Sequence, residues 1–196
     1  MKKYILALLV CTFTYIVIAN KDNDSTHNIV EHALVKEVGD YINKVSPRSN
    51  LTPKTVVDKC IEHDIDIIFV LAQGQIESNF GTAGIASSTN SVWNVNSYDG
   101  RSAQHIIRKG LGYEHPDHSI EPYIYLLKSR YLTNGRTEYD LMNKFTASSG
   151  HRYASSPIYE YQLKSLYNRI HSTTNIKHLQ THLKNTKNID GNDTIY

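Results

Sequence analysis

Apolar residues recur at steps of three and four from Val30 to Val45, through Ala33, Leu34, Val38, Tyr41 and Ile42. That spacing predicts an amphipathic helix, which stops before Pro47. Thr52 and Pro53 then offer an N-cap and a first helical residue, and Val56, Val57, Cys60 and Ile61 form the stripe of a second helix ending at His63 and Asp64. The run from Ile67 to Ile76 is apolar on almost every face, as expected of a central buried helix, with Asp66 as its N-cap and Glu77 at its end. Between Ser78 and His118 the pattern changes to Gly, Ser, Thr and Asn with short apolar pieces. Loops, a small hairpin and the wall of a cleft fit such a segment. Helical periodicity returns from Ser119 and Pro122 to about Leu132, with Ile120, Tyr123, Ile124 and Leu127 inward. Thr137 and Asp140 have the spacing of a capping box ahead of a helix to about Ala147. Ser156 and Pro157 open a last strong helix carrying Ile158, Tyr161, Leu163, Leu166, Tyr167 and Ile170. There is no internal repeat, and the pattern as a whole reads as mainly α.

The two ends differ from this middle. Residues 1–19 place Lys2 and Lys3 before an apolar stretch from Tyr4 to Ile18, with Val17 and Ala19 ahead of polar Asn20. This is the layout of a signal peptide, cleaved after about Ala19 or, if left uncleaved, serving as an N-terminal membrane tether. The apolar run is shorter than the ~20 residues that a spanning helix needs, which favours cleavage. Cys11 follows Val10, where a lipid-modified cysteine would follow a small residue, so no lipid anchor is expected. The expected destination is outside the cytoplasm: periplasm, cell surface or medium. Residues 20–28 read as a linker, 29–171 as the domain, and 172–196 as a polar, flexible tail with sparse apolar residues. Cys60 is then the one cysteine left, so the core must hold the fold without an internal disulfide.

Composition narrows the function. The 196 residues are 40% hydrophobic and 20% charged, enough for one domain with a buried core. Lys and Arg number 21 against 19 Asp and Glu, and Lys2 and Lys3 stand in the N-terminal segment, so the remainder is balanced and no nucleic acid partner is indicated. Fourteen tyrosines supply amphipathic rings, most for the core and some suited to lining a sugar site. There is no glycine-rich phosphate loop and no Cys-x-x-Cys pair, so nucleotide and redox readings lack their residues. His115 with His118, and His178 with His182, have ligand-like spacing but no third ligand, so no metal and no cofactor are expected. Ser149-Gly150-His151 lacks the context of a serine nucleophile.

The chemistry concentrates at Glu77. A carboxyl at the end of a mostly apolar helix meets a desolvation cost that favours its protonated form, as suits a general acid in glycosidic bond cleavage. The plainer reading, a solvated glutamate at a helix end, is the stronger one on the helix alone. The surrounding string changes that. Ala72-Gln73-x-x-x-Glu77-Ser78-x-x-Gly81, followed by Asn90-Ser91-Val92-Trp93-Asn94-Val95, resembles the bacterial and phage glucosaminidase family of peptidoglycan hydrolases. Downstream, Arg152-Tyr153-Ala154-Ser155-Ser156-Pro157-Ile158-Tyr159 is similar to the family's Tyr-Ala-Thr/Ser-x-Pro-x-Tyr string, and Tyr113 to Tyr131 to its segment ending in Arg-Tyr. The resemblance covers about residues 52–170. It implies a lysozyme-like helical domain with a cleft and a small loop or β-hairpin lobe, acting as a monomer on peptidoglycan glycan strands.

The same resemblance implies an endo-β-N-acetylglucosaminidase with Glu77 as catalytic acid and Tyr153 at the reacting centre. Ser78, Phe80, Asn90, Trp93 and Tyr98 are the candidate substrate-binding residues, with Trp93 expected to stack on a sugar face. Two departures matter. Ser91, Val92, Trp93 and Asn94 stand where the family has a second Asn, Leu, Phe and Gly, and Arg101 to Tyr113 holds no carboxylate, where members carry a second acid. Asp99, Glu114 and Asp117 are the nearest candidates, and substrate assistance by the sugar's own acetamido group would dispense with all three. The alternatives are a lytic transglycosylase or a muramidase on the same fold, and a wall-binding or phage structural protein that has lost the chemistry.

Overall fold

A computed structural model of the protein describes residues 26–95, 106–107 and 112–191. The signal-like residues 1–19, Tyr98, Asp99 and residues 192–196 lie outside the described residues. The molecule is mainly helical, as the resemblance implied, and it is built around one helix, Ile67–Ser78. Numbered in chain order, the helices before it are α1 (residues 26–45) and α2 (Pro53–Glu62), and it is α3 itself. Asp66 starts α3: its carboxylate accepts from the N–H of Ile68 at 2.8 Å and of Phe69 at 3.4 Å. From Ile67 through Gly74 every residue is buried, which is why the sequence there is apolar all round. Each large side chain so buried contributes about 1.5–3 kcal/mol by leaving water.

The helix Tyr159–Thr173 runs along α3, and α2 and the helix Ile176–Gly191 cover its other faces. Between α3 and these helices the chain forms a one-turn helix α4 (Ala86–Thr89) and an antiparallel pair, β1 (Ile106–Ile107) with β2 (Gly112–Tyr113), in the register Ile106 opposite Tyr113. Gly112 is required there, because a Cβ would fall 2.7 Å from the carbonyl oxygen of Thr89. A helical stretch follows as α5 (Ile120–Leu126). Its last turn, Leu127–Tyr131, widens to π geometry, and Leu132 N–H bonds the Leu127 carbonyl at 2.8 Å. The remaining helices are α6 (Glu138–Leu141), α7 (Tyr159–Thr173) and α8 (Ile176–Gly191).

Three sequence expectations are corrected. The helix begun by the Thr137–Asp140 capping box is a single turn and does not reach Ala147. Arg136 holds the carbonyls of Lys144 and Thr146, Thr146 pairs with Arg152 as an isolated antiparallel bridge, and Phe145 turns into the core. On α7 the inward stripe is Tyr159, Leu163, Leu166 and Ile170, whereas Ile158 and Tyr161 are exposed. The expected flexible tail is, over 176–191, the helix α8. Its few apolar positions suffice because polar groups dock it. Gln180 is buried between the Ile65 carbonyl and the Ile67 N–H, Lys177 pairs with Asp66 at 2.6 Å, and Lys184 pairs with Asp64.

The segment from Phe145 to Glu160 that carries Tyr153 is tied by one carboxylate. Glu160 accepts from Arg152 at 2.6 Å and from the Phe145 N–H at 3.2 Å. Burial works to raise its pKa, but backbone donors and Arg152 outweigh it and hold the carboxyl below its ordinary value of 4.5. A depressed acid contributes stability above its unfolded pKa and loses it as pH falls through the folded one. The stability gap between wild type and Glu160→Gln should therefore be full at pH 6 and shrink toward zero on acidification past the ordinary carboxylate range. Parallel urea titrations across that range check it, and a gap independent of pH would contradict it.

Candidate active site

The end of α3 is built to hold one carboxylate still. Asn79 closes the helix in the left-handed region (φ 50°), and Phe80 (φ 56°) and Gly81 (φ 82°) continue it. A left-handed phenylalanine is costly, and its complete burial, edge-on to Tyr41, offsets that cost. Ser78 is the clasp of this turn: its hydroxyl donates to the Val92 carbonyl at 2.6 Å and accepts from the Gly81 N–H at 2.8 Å. These bonds fasten the loop 90–95 against α3, and Asn90 fastens it from the other side through the carbonyls of Tyr113 and Glu114.

Trp93 completes the anchor. Its indole is 1% exposed, stacks on Tyr123 with centroids 4.9 Å apart, and donates to the Val70 carbonyl at 3.0 Å. Gly74 makes room, since a Cβ there would lie 3.2 Å from the indole nitrogen. Ser78, Phe80, Asn90 and Trp93 were all expected to touch substrate. In the structure Trp93 belongs to the cleft wall with its indole buried, whereas Ser78, Phe80 and Asn90 do not line the cleft: Phe80 is buried in the core, and Ser78 and Asn90 bond the backbone that shapes the site.

What this frame presents is a cleft of about 500 Å³ lined by Glu77, Asn94, Tyr131, Tyr153 and Tyr159 among others. The half-buried Glu77 carboxylate accepts on both oxygens, from the Tyr159 hydroxyl at 2.5 Å on Oε1 and from the Asn94 amide at 2.9 Å on Oε2. Asn94 also holds the Glu77 carbonyl at 2.9 Å, and its φ of 53° accounts for the glycine that the resembling sequences carry there. Behind Tyr159 lies a buried chain of donors: Tyr123 donates to the Gln73 oxygen, and the Gln73 amide donates to the Tyr159 hydroxyl at 3.1 Å. All three bonds point the same way and end on Glu77, so they reinforce one another. Burial, then the neighbouring Tyr153 and Glu77, push the Tyr159 phenol far above its ordinary value of 10.0, which keeps it a neutral donor. Tyr159 and Asn94 were not singled out from the sequence. Tyr159 closes the Tyr-Ala-Ser-x-Pro-x-Tyr string and begins the inward stripe of α7, and that coincidence was the available signal.

Tyr153 shares the cleft with Glu77. Its ring stacks on Phe145 at 4.4 Å and its hydroxyl donates to the Trp93 carbonyl at 3.1 Å. The candidates for a second carboxylate fare differently. Asp117 is taken up at the start of α2, accepting from the Thr52 N–H at 2.7 Å and the Thr55 hydroxyl at 3.2 Å, where Thr52 itself makes no cap bond. Glu114 is exposed and does not line the cleft. Among the described residues, Glu77 is the one carboxylate that does.

This arrangement, an oriented carboxylate beside tyrosines in an open groove, suits proton transfer to and from a sugar ligand. A family model described as "Glucosaminidase: Mannosyl-glycoprotein endo-beta-N-acetylglucosaminidase" matches residues 54–172, more than half of the chain and the whole of the cleft. The chain belongs to the glucosaminidase family. As a glucosaminidase-family protein it is a glycoside hydrolase. No individual curated protein matches it closely enough to add to that. The cysteine of this glucosaminidase-family domain, Cys60, is fully buried away from the cleft, and burial pushes its thiol up. No described helix is long and apolar enough to cross a membrane.

Proposed function

We propose that the protein is an exported endo-β-N-acetylglucosaminidase that cuts the glycan strands of peptidoglycan, with Glu77 as general acid and the substrate's acetamido group in place of a second carboxylate. The observation that carries this reading is Glu77 itself, clamped by Tyr159 and Asn94 as the only carboxylate lining the described cleft. A carboxyl group has about four lone-pair positions, so two donors leave a position for the proton it delivers. Glu77 gives that proton to the glycosidic oxygen as the bond to C1 breaks, while the acetamido carbonyl oxygen bonds to C1. Water then attacks C1, the acetamido oxygen leaves, and Glu77 takes the proton of the water. Tyr153, with its own proton committed to the Trp93 carbonyl, meets a ligand as an acceptor. That polarity matches an acetamido N–H and would aim the carbonyl oxygen at C1.

Two displacements at C1 retain its configuration, so NMR of a digest in its first minutes should show the β anomer at the new reducing end. An initial α anomer would contradict substrate assistance. Asp99→Asn should leave turnover within about threefold of wild type, and a loss of about 10²-fold would assign the second group to Asp99. Tyr153→Phe keeps the packing, and it should lower turnover about tenfold with a melting temperature within a few degrees of wild type.

A further inference from the structure

The cleft continues past Glu77 along the open face of α3. Ile76, which lines the cleft, also lines a shallow groove of about 410 Å³ between α3 and α7. Gln75 and Arg169, in that groove, also line a basin of about 420 Å³ beside α1. The three depressions thus adjoin one another along this face, sharing wall residues, as a trough. Its chemistry is unlike that of the cleft. Tyr161, 77% exposed, presents a bare ring to the groove. Arg169 stands exposed at the junction without an ion pair among the described residues, and so does Lys44 in the basin. Of the acids of the basin, Asp40 pairs with Lys36 at 2.5 Å, while Glu37 keeps its charge and accepts from the Asn175 N–H at 2.9 Å. Tyr41 donates to the Gln75 side-chain oxygen at 2.5 Å, which leaves the amide nitrogen of Gln75, a residue that lines both the groove and the basin, as a further donor. The groove, whose lining holds Arg169, two glutamines and no acid, therefore favours a chain that carries carboxylates and amides.

We propose that this trough binds the carboxylate-bearing peptide attached to the glycan strand next to the bond being cut, with Arg169 and Lys44 taking its carboxylates and Tyr161 covering its backbone. The inference rests on the proposed action on peptidoglycan. Length agrees with it: Tyr161 and Arg169 are eight residues apart on α7, roughly 12 Å at helical rise, and four extended residues span about 13 Å. A peptide branching from a sugar held at Glu77 would cross Ile76, the wall that the cleft and the groove share, to reach this face.

The test compares kcat/KM of the full chain on peptide-bearing glycan strands and on the same strands stripped of peptide by an amidase. Wild type should favour the peptide-bearing strands, and Arg169→Gln should lower the ratio about tenfold, the size of a lost charge-assisted hydrogen bond. Lys164→Gln, on the same helix but outside the trough, should leave the ratio unchanged. An unaltered ratio in Arg169→Gln, or an equal fall in Lys164→Gln, would overturn the proposal. A second measurement separates its failure from that of the activity. Glu77→Gln protein is titrated with the free tetrapeptide Ala-Glu-Lys-Ala and followed by amide NMR. Shifts confined to 161–169 and the α1 face, absent in Arg169→Gln, support the site even if no glycan is cut, and no shifts at millimolar peptide count against it.

Discussion

Glu77→Gln is expected to lower glycan cleavage by at least about 10²-fold while the protein stays folded, because general acid catalysis contributes roughly 10²–10⁴-fold. The amide is nearly isosteric with the carboxyl. Its oxygen can still accept from Tyr159 or Asn94, and the Ser78 clasp that shapes the turn does not involve the side chain of Glu77. What the amide cannot do is release a proton. Tyr159→Phe provides the graded companion: it removes one donor from the carboxylate and leaves the Gln73 amide short of a partner, so turnover should fall about tenfold with a modest loss of stability. Turnover of Glu77→Gln within tenfold of wild type, measured on folded protein checked by circular dichroism, would remove Glu77 from the chemistry.

Trp93→Ala should cost about 3–5 kcal/mol of stability, the loss typical of deleting a fully buried large aromatic side chain. The cavity would open between Tyr123 and α3, against Gly74, where the stacked indole fills the space. A domain of this size shifts by about 2–4 °C per kcal/mol, so the melting temperature should drop by roughly 10 °C. Activity should fall as a consequence, since the backbone of Trp93 receives Tyr153 and is followed directly by Asn94. A variant of unchanged stability but poor substrate binding would instead restore Trp93 as a sugar-stacking surface.

That residue also shows where the sequence stops being legible. In a helix, periodicity tells inside from outside, and so the burial of α3, the Asp66 cap and the Thr137 box could all be read from spacing. The loop 90–95 has no period, and an aromatic in a run of Asn and Ser reads as a surface platform. Only the fold reveals the slot that Gly74 leaves for it. Phe80 and Ser78 were misread for a related reason. In the motif around Glu77 only Ile76 and Glu77 face the cleft, and the residues that follow are there to turn the chain through three left-handed positions and pin it. Tyr153 and Glu77 could be brought together from their motifs, but the bond from Tyr159 to Glu77 depends on how α7 lies on α3, which sequence spacing does not encode. In the same way, α8 reads as a tail until Gln180 is seen bonding the chain at Ile65 and Ile67, a contact between distant segments.

The central claim, that Glu77 in this cleft cleaves the bond on the reducing side of N-acetylglucosamine, is tested most directly by the ends that the enzyme leaves. Purified protein is incubated with peptidoglycan, and the released fragments are reduced with borohydride and read by mass spectrometry. The expected result is fragments ending in reduced N-acetylglucosamine, absent from a parallel digest with Glu77→Gln. Fragments ending in reduced N-acetylmuramic acid or in its 1,6-anhydro form, or no fragments at all, would contradict it.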